Sequence, residues 1–248
     1  MTDAHAHLDA CDEPADTLVE RAQGVGVSRI VTIGTGIDSS RGALDIAERH
    51  DGVYAALGIH PHAAAEPDAE RIDVLRELLS HPKAVAVGET GLDTVRRFAS
   101  LEQQRRLFDA HLGLAEEVGL PVVVHNREAD DETAAALAGF GGTVILHCFS
   151  SPALVSHAVE CGYYVSFAGN ATYKNAPALR EAAAAVAADR ILVETDSPYL
   201  APQAVRGQSN EPANVVHTIR VLAVARGEDP DAFAARTHAN ATAAFAIT

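Results

Sequence analysis

The chain has 248 residues, 48% of them apolar and 21% charged, so it can bury a large core and does not have the composition of a disordered chain. Its formal charge of −15, from 34 acidic and 19 basic residues, argues against strong unspecific adhesion to DNA or anionic lipid. A nucleic-acid substrate is not excluded, because bound cations can supply positive charge locally.

Short β-like runs alternate with helix-like stretches from end to end. Strands are predicted at residues 2–8, 29–33, 54–59, 84–88, 121–125, 142–147, 163–167 and 191–195. Helices are predicted at 14–24, 39–49, 69–79, 101–118, 128–138, 152–161, 176–187 and 212–226, with a last one at 230–246. Val122-Val123-Val124 and Ile191-Leu192-Val193 are continuous apolar runs, the pattern of strands buried on both faces. Strict alternation around eight strands predicts a (β/α)8 TIM barrel rather than a doubly wound sheet, as one domain over residues 1–248. There is no GxGxxG after the first strand and no GxxxxGKS loop, so no organic cofactor is expected. Cys11, Cys148 and Cys161 have no paired spacing, and neither a leader-like segment nor an apolar run of ~20 residues is present. The expectation is a soluble cytoplasmic protein with no membrane association.

The informative feature is where the metal-capable side chains fall. His5 and His7 stand two apart on the first predicted strand, which puts them on one face. Glu89 ends the fourth strand, His125 the fifth and His147 the sixth, and Asp196 follows the eighth. In a barrel these C-terminal strand ends form the mouth where active sites sit. Any one of these residues alone reads as an ordinary structural histidine or a solvated carboxylate. Their joint placement on five strands points to a metal centre, and mixed nitrogen and oxygen donors suit Zn, Mn, Fe, Ni or Co better than Ca. His50, His81, His111, His157, His217 and His238 lie in predicted helices or loops and read as ordinary.

The segments Asp3-Ala-His5-Ala-His7-Leu-Asp9, Gly58-Ile-His60-Pro-His62, Gly88-Glu89-Thr-Gly91-Leu-Asp93, His125-Asn-Arg127, His147-Cys-Phe-Ser150 and Glu194-Thr-Asp196-Ser-Pro198-Tyr-Leu-Ala-Pro202 resemble, in order and spacing, the signature blocks of the TatD-family hydrolases. Arg206-Gly207, Asn210-Glu211-Pro212 and Asn240 extend the resemblance over essentially the whole chain. It implies an amidohydrolase-like barrel and metal-dependent cleavage of DNA from strand ends, 3′ ends of single strands in particular. Carried over motif by motif, it implies two divalent ions (Zn, Mn, Mg, Ni, Fe or Co). One would take His5, His7 and Asp196, the other His125 and His147, with Glu89 bridging. Asp196 would act as general base or water-orienting group, together with Glu89 as the catalytic carboxylates, and Asp93 would either orient a ligand from behind or cap the turn after Gly91. His60 and His62 are candidates for a substrate phosphate or a third cation, and Arg127, Lys174, Arg206 and the pair Arg96-Arg97 for backbone phosphates. The partner expected is a nucleic-acid substrate, DNA with single-stranded ends preferred; the sequence leaves the oligomeric state open and is compatible with a monomer.

Two departures bear on the substrate. The family has an aromatic residue after the Gly-Leu-Asp block, where this chain has Thr94 and Val95, so a stacking platform for a base is expected to be missing there. A basic residue follows Arg-Gly in the family, where this chain has Gln208. The same barrel chemistry cleaves other bonds, so hydrolysis of an aminoacyl ester on tRNA, or of an amide, is the alternative. A metal-dependent binding protein without activity is a third reading, disfavoured by the presence of both Glu89 and Asp196.

Overall fold

The computed structural model describes residues 1–247. In chain order the elements are β1 Thr2–Ala6, α1 Ala15–Gly24, β2 Arg29–Gly34, α2 Ile37–Arg49, β3 Val53–Leu57, α3 Ile72–Leu78, β4 Ala84–Asp93, α4 Leu101–Val118, β5 Val122–Arg127, α5 Asp130–Leu137, β6 Val144–Leu146, α6 Val155–Glu160, β7 Tyr164–Phe167, α7 Pro177–Ala185, β8 Ile191–Val193, α8 Val215–Arg226 and α9 Pro230–Ala244. The strands are parallel and ordered β1 to β8, the order and alternation of the (β/α)8 barrel that the sequence predicts. No described helix is long and apolar enough to cross a membrane.

Two compact units are distinguished, Ile33–His147 and Met1–Thr32 with Cys148–Thr248. In the first, β3, β4, β5 and β6 pair in sequence, with Leu57 opposite Val87 and Val122 opposite both Val87 and Val144. The β4–β5 register shifts between Val87 and Thr90 and resumes with Gly91 opposite His125 and Asp93 opposite Arg127. This irregularity lets β4 run on to Asp93, so Glu89 lies inside the strand rather than at its end as the sequence suggests. Helix α4 starts with a capping box, Ser100 and Gln103 satisfying each other's backbone N–H, and stops at Gly119, whose φ of 69° favours a residue without Cβ.

In the second unit β1 pairs with β2, β7 with β8, and Ala6 bridges to Ser197. The Asn240 amide of α9 donates to the Ala188 and Ile191 carbonyls at 2.9 and 2.8 Å, which fastens the last helix to the start of β8. Observed helices open later than predicted where a proline leads, as in the 3-10 turns Pro67–Glu70, Pro152–Leu154 and Pro212–Asn214. Proline's fixed φ suits a first turn, and its missing N–H costs nothing there.

His111 of α4 is one of the histidines read as ordinary, and it is wholly buried. Its Nε2 accepts the Ile59 N–H at 3.0 Å, and its Nδ1–H points to the Leu107 carbonyl at 2.7 Å, a pairing only the neutral ring can make. Burial pushes its pKa down to about 4. The unfolded ring has the ordinary value near 6.5. Stability from this group is therefore full above pH ~6.5 and is lost as pH falls toward 4, by roughly 3 kcal/mol in all. Urea unfolding midpoints from pH 7 to 4 should fall more steeply for the wild type than for His111→Gln; equal slopes would contradict the assignment.

Candidate metal centre

In the Ile33–His147 unit, side chains from β4, β5 and the residues following β3 and β6 converge on one carboxylate. Glu89 is 2% exposed. Its Oε1 lies 2.8 Å from His125 Nδ1, 2.8 Å from His147 Nε2 and 3.3 Å from His60 Nε2. Burial favours the neutral acid, but the imidazoles of His147 and His60 and the hydrogen bonds from His125 and His147 outweigh it and hold the Glu89 carboxyl well below the usual range. Burial likewise works against a charged His125, yet its bonds to Asp93 and Glu89 raise its pKa. Burial pushes His60 down.

Asp93 closes β4 and uses its two oxygens differently. Oδ2 lies 2.8 Å from His62 Nε2 and 3.4 Å from His125 Nε2. Oδ1 accepts the backbone N–H groups of Val95 and Arg96, each at 2.8 Å. Burial opposes the charge, but these donors hold the Asp93 carboxyl far below the usual range. Asp93 therefore orients two imidazoles and also caps the turn that follows it. Beyond that turn Phe98 is 66% exposed, with its ring centroid 5.0 Å from that of His62.

In the other unit, the loop after β8 meets the end of β1. His5 and His7 do share a face: their Nε2 atoms are 3.3 Å apart, and Asp196 Oδ1 lies 3.7 Å from the first and 3.4 Å from the second. Asp196 has a left-handed φ of 54°, a conformation that costs a non-glycine residue of order 1 kcal/mol or more and must be held by its surroundings. Three backbone bonds hold it: Asp196 N–H to the His5 carbonyl (2.9 Å), His7 N–H to the Ser197 carbonyl (2.8 Å) and Tyr199 N–H to the Asp196 carbonyl (2.9 Å). Beneath them, buried Asp3 accepts the Thr195 N–H at 2.8 Å and the Thr195 hydroxyl at 2.6 Å. The Asn210 amide donates to the carbonyls of Thr195 (2.9 Å) and Tyr199 (2.6 Å). Asp3, Thr195 and Asn210 thus set the Asp196 loop against the two histidines. Sequence reasoning quoted them only as members of motifs. An acid two residues before a His-x-His pair was the available signal.

Both clusters fit a divalent cation. His60, Glu89 and His125 each offer a donor atom within 4.8 Å of the others, and so do His5, His7 and Asp196. The Nε2 atoms of His5 and His7, facing each other at 3.3 Å, repel as lone pairs unless a proton or a cation lies between them. His60, expected to meet a phosphate or a third cation, has its Nε2 turned to Glu89. Arg127, at the end of β5, is exposed. Lys174 is exposed just past the 3-10 turn Gly169–Thr172, and exposed Arg206 stacks on Tyr173 with its guanidinium 4.2 Å from the ring centroid.

The family described as TatD related DNase matches residues 2–246. The chain is 41% identical to an uncharacterized metal-dependent hydrolase TatD of Mycobacterium tuberculosis, over all of this chain and 98% of the relative. It is 36% identical to a protein of Erwinia amylovora named 3′-5′ ssDNA/RNA exonuclease TatD, over 94% of this chain and 93% of the relative. Among solved structures, the TatD homolog YJJV from Escherichia coli K12 superposes with a TM-score of 0.94 at 30% identity, covering all of this chain and 98% of that one.

Proposed function

This chain belongs to the TatD family of metal-dependent hydrolases, and from that premise we propose that it trims single-stranded nucleic acid from its ends, in the 3′ to 5′ direction, by phosphodiester hydrolysis. The observation that carries the reading is the two nitrogen and oxygen donor groups, the part-buried His60–Glu89–His125 and the buried His5–His7–Asp196. The substrate class follows the relatives named as single-strand exonucleases. One divalent ion is assigned to His5, His7 and Asp196, and another to Glu89, His125 and His147 with His60 beside them. When bound, such ions supply positive charge to a phosphoryl oxygen and acidify a nearby water.

The remaining work falls to the side chains. Glu89 stays ionised among its imidazoles and balances the charge of its cluster. Asp196, held rigidly in its left-handed turn, orients the attacking water and accepts its proton. Asp93 fixes the rings of His62 and His125. Arg127, Lys174 and Arg206 are exposed cations for backbone phosphates, Arg206 already oriented by Tyr173. The chain works as a single catalytic domain in the cytoplasm, a reducing medium that suits its three cysteines.

The test is a comparison of linear and circular single-stranded DNA of one sequence, with RNA and aminoacyl-tRNA in parallel. Linear strands labelled at the 5′ end should shorten progressively from the 3′ end, circles should persist, and excess chelator should stop the reaction. Circles cut as fast as linear strands would make the enzyme an endonuclease. Release of amino acid from aminoacyl-tRNA with DNA untouched would move the reading to the ester alternative.

A further inference from the structure

Phe98 has two thirds of its surface in water, in a chain with no tryptophan and only 5% aromatic residues. A single exposed apolar side chain is ordinary on a protein surface and signifies nothing by itself. Its setting gives it meaning. Residues 94–98 form an exposed arch whose backbone is tied at the start. Thr94 donates its N–H to the Arg127 carbonyl at 3.1 Å and its hydroxyl to the Glu128 carbonyl at 2.6 Å, and the N–H groups of Val95 and Arg96 bind Asp93. At the far end Ala99 is buried and Ser100 caps α4. The Phe98 ring is therefore carried on a fixed arch and leans on the His62 imidazole. His62 shares the Asp93 carboxylate with His125, which touches Glu89. Arg96 and Arg97 stand exposed immediately before it, two cations in a chain of net charge −15.

An exposed aromatic ring against a histidine of the donor cluster, with two exposed arginines immediately before it in the chain, has the components that bind single strands: an aromatic ring stacks bases and cations meet the backbone. We propose that Phe98 is the stacking platform for a nucleobase at the end of the substrate strand, and so a specificity-determining residue, which rests on the nuclease reading given above. The position after Gly-Leu-Asp, where the sequence suggested that a platform was missing, is filled by Thr94. The ring is supplied four residues later, by the turn that Asp93 nucleates.

The absence of tryptophan makes the test direct. Phe98→Trp places a single reporter on the arch. In chelator, where no hydrolysis occurs, its fluorescence should be quenched saturably by a short single-stranded oligonucleotide and little changed by the same strand with an abasic 3′ residue. In the metal-loaded enzyme, Phe98→Ala should raise KM for the intact strand by about 5- to 150-fold, the loss expected from one base stack, with kcat within a few-fold. It should leave KM for the abasic-ended strand unchanged, and Phe98→Trp and Phe98→Tyr should restore the intact-strand KM. Equal effects of Phe98→Ala on both strands, or none on either, would overturn the platform while wild-type cleavage upheld the nuclease reading. A wild type that cleaves neither strand, with an unquenched reporter, would overturn both.

Discussion

Glu89→Gln should reduce turnover by roughly 10²–10⁴-fold, the loss typical of a group that acts mainly in the transition state, while leaving the secondary structure intact. Glutamine keeps the shape of the side chain and discards its charge. The structure shows what that charge faces: His125 Nδ1 and His147 Nε2 at 2.8 Å and His60 Nε2 at 3.3 Å, in a place from which water is nearly excluded. A neutral amide there leaves the imidazole cluster without its counter-charge and offers a cation a far weaker ligand. Metal content per chain should fall in the same variant, measured by elemental analysis of protein purified without chelator. Circular dichroism checks that the fold has survived. Turnover within a few-fold of wild type at full metal loading would remove Glu89 from the chemistry.

Gly91→Ala is expected to cost about 3–5 kcal/mol of stability, among the largest effects of any single substitution here. Gly91 has φ +133°, a region that residues with a Cβ rarely enter. A Cβ at that position would also run into the backbone carbonyl of His125, the residue opposite it in the β4–β5 ladder. A backbone neighbour cannot rotate aside as a side chain can, so relief requires the two strands to part. His125 would move away from Glu89 and Asp93 with them. The urea midpoint should drop sharply, and any protein that still folds should bind metal weakly. Gly113→Ala in α4 is the control: a Cβ there meets nothing within 4 Å, and the change should stabilise by up to ~1 kcal/mol. A Gly91→Ala midpoint close to wild type would show that the ladder is softer at this point than its geometry implies.

The fold and most of the donor set could be read in the chain because both rest on local rules. Apolar runs such as Val122-Val123-Val124 need only a sheet covered on both faces to be recognised, and their spacing set the alternation of strand and helix. The pairing of His5 with His7 follows from the two-residue period of an extended strand and holds even though β1 ends at Ala6.

Register, by contrast, is not local. Glu89 and His125 are 36 residues apart in sequence, and they touch because the β4–β5 ladder shifts between Val87 and Thr90 and carries β4 on to Asp93. Gly88 and Gly91 mark an irregularity in β4 but do not fix its register, so the sequence placed Glu89 at a strand end. His60 shows the same dependence. The sequence located it beside a proline after the third strand, and its turn toward Glu89 rather than outward to a phosphate is fixed by the 3-10 turn Pro61–Ala63, whose His62 N–H binds His60 Nδ1. Phe98 is the clearest case. Its sequence neighbours mark it only as an aromatic in a loop, and its place against His62 comes from Asp93, which grips the turn with one oxygen and the histidine with the other. Periodicity told which residues could act. Hydrogen bonds between segments far apart in the chain, whose geometry no local pattern encodes, settled which of them meet.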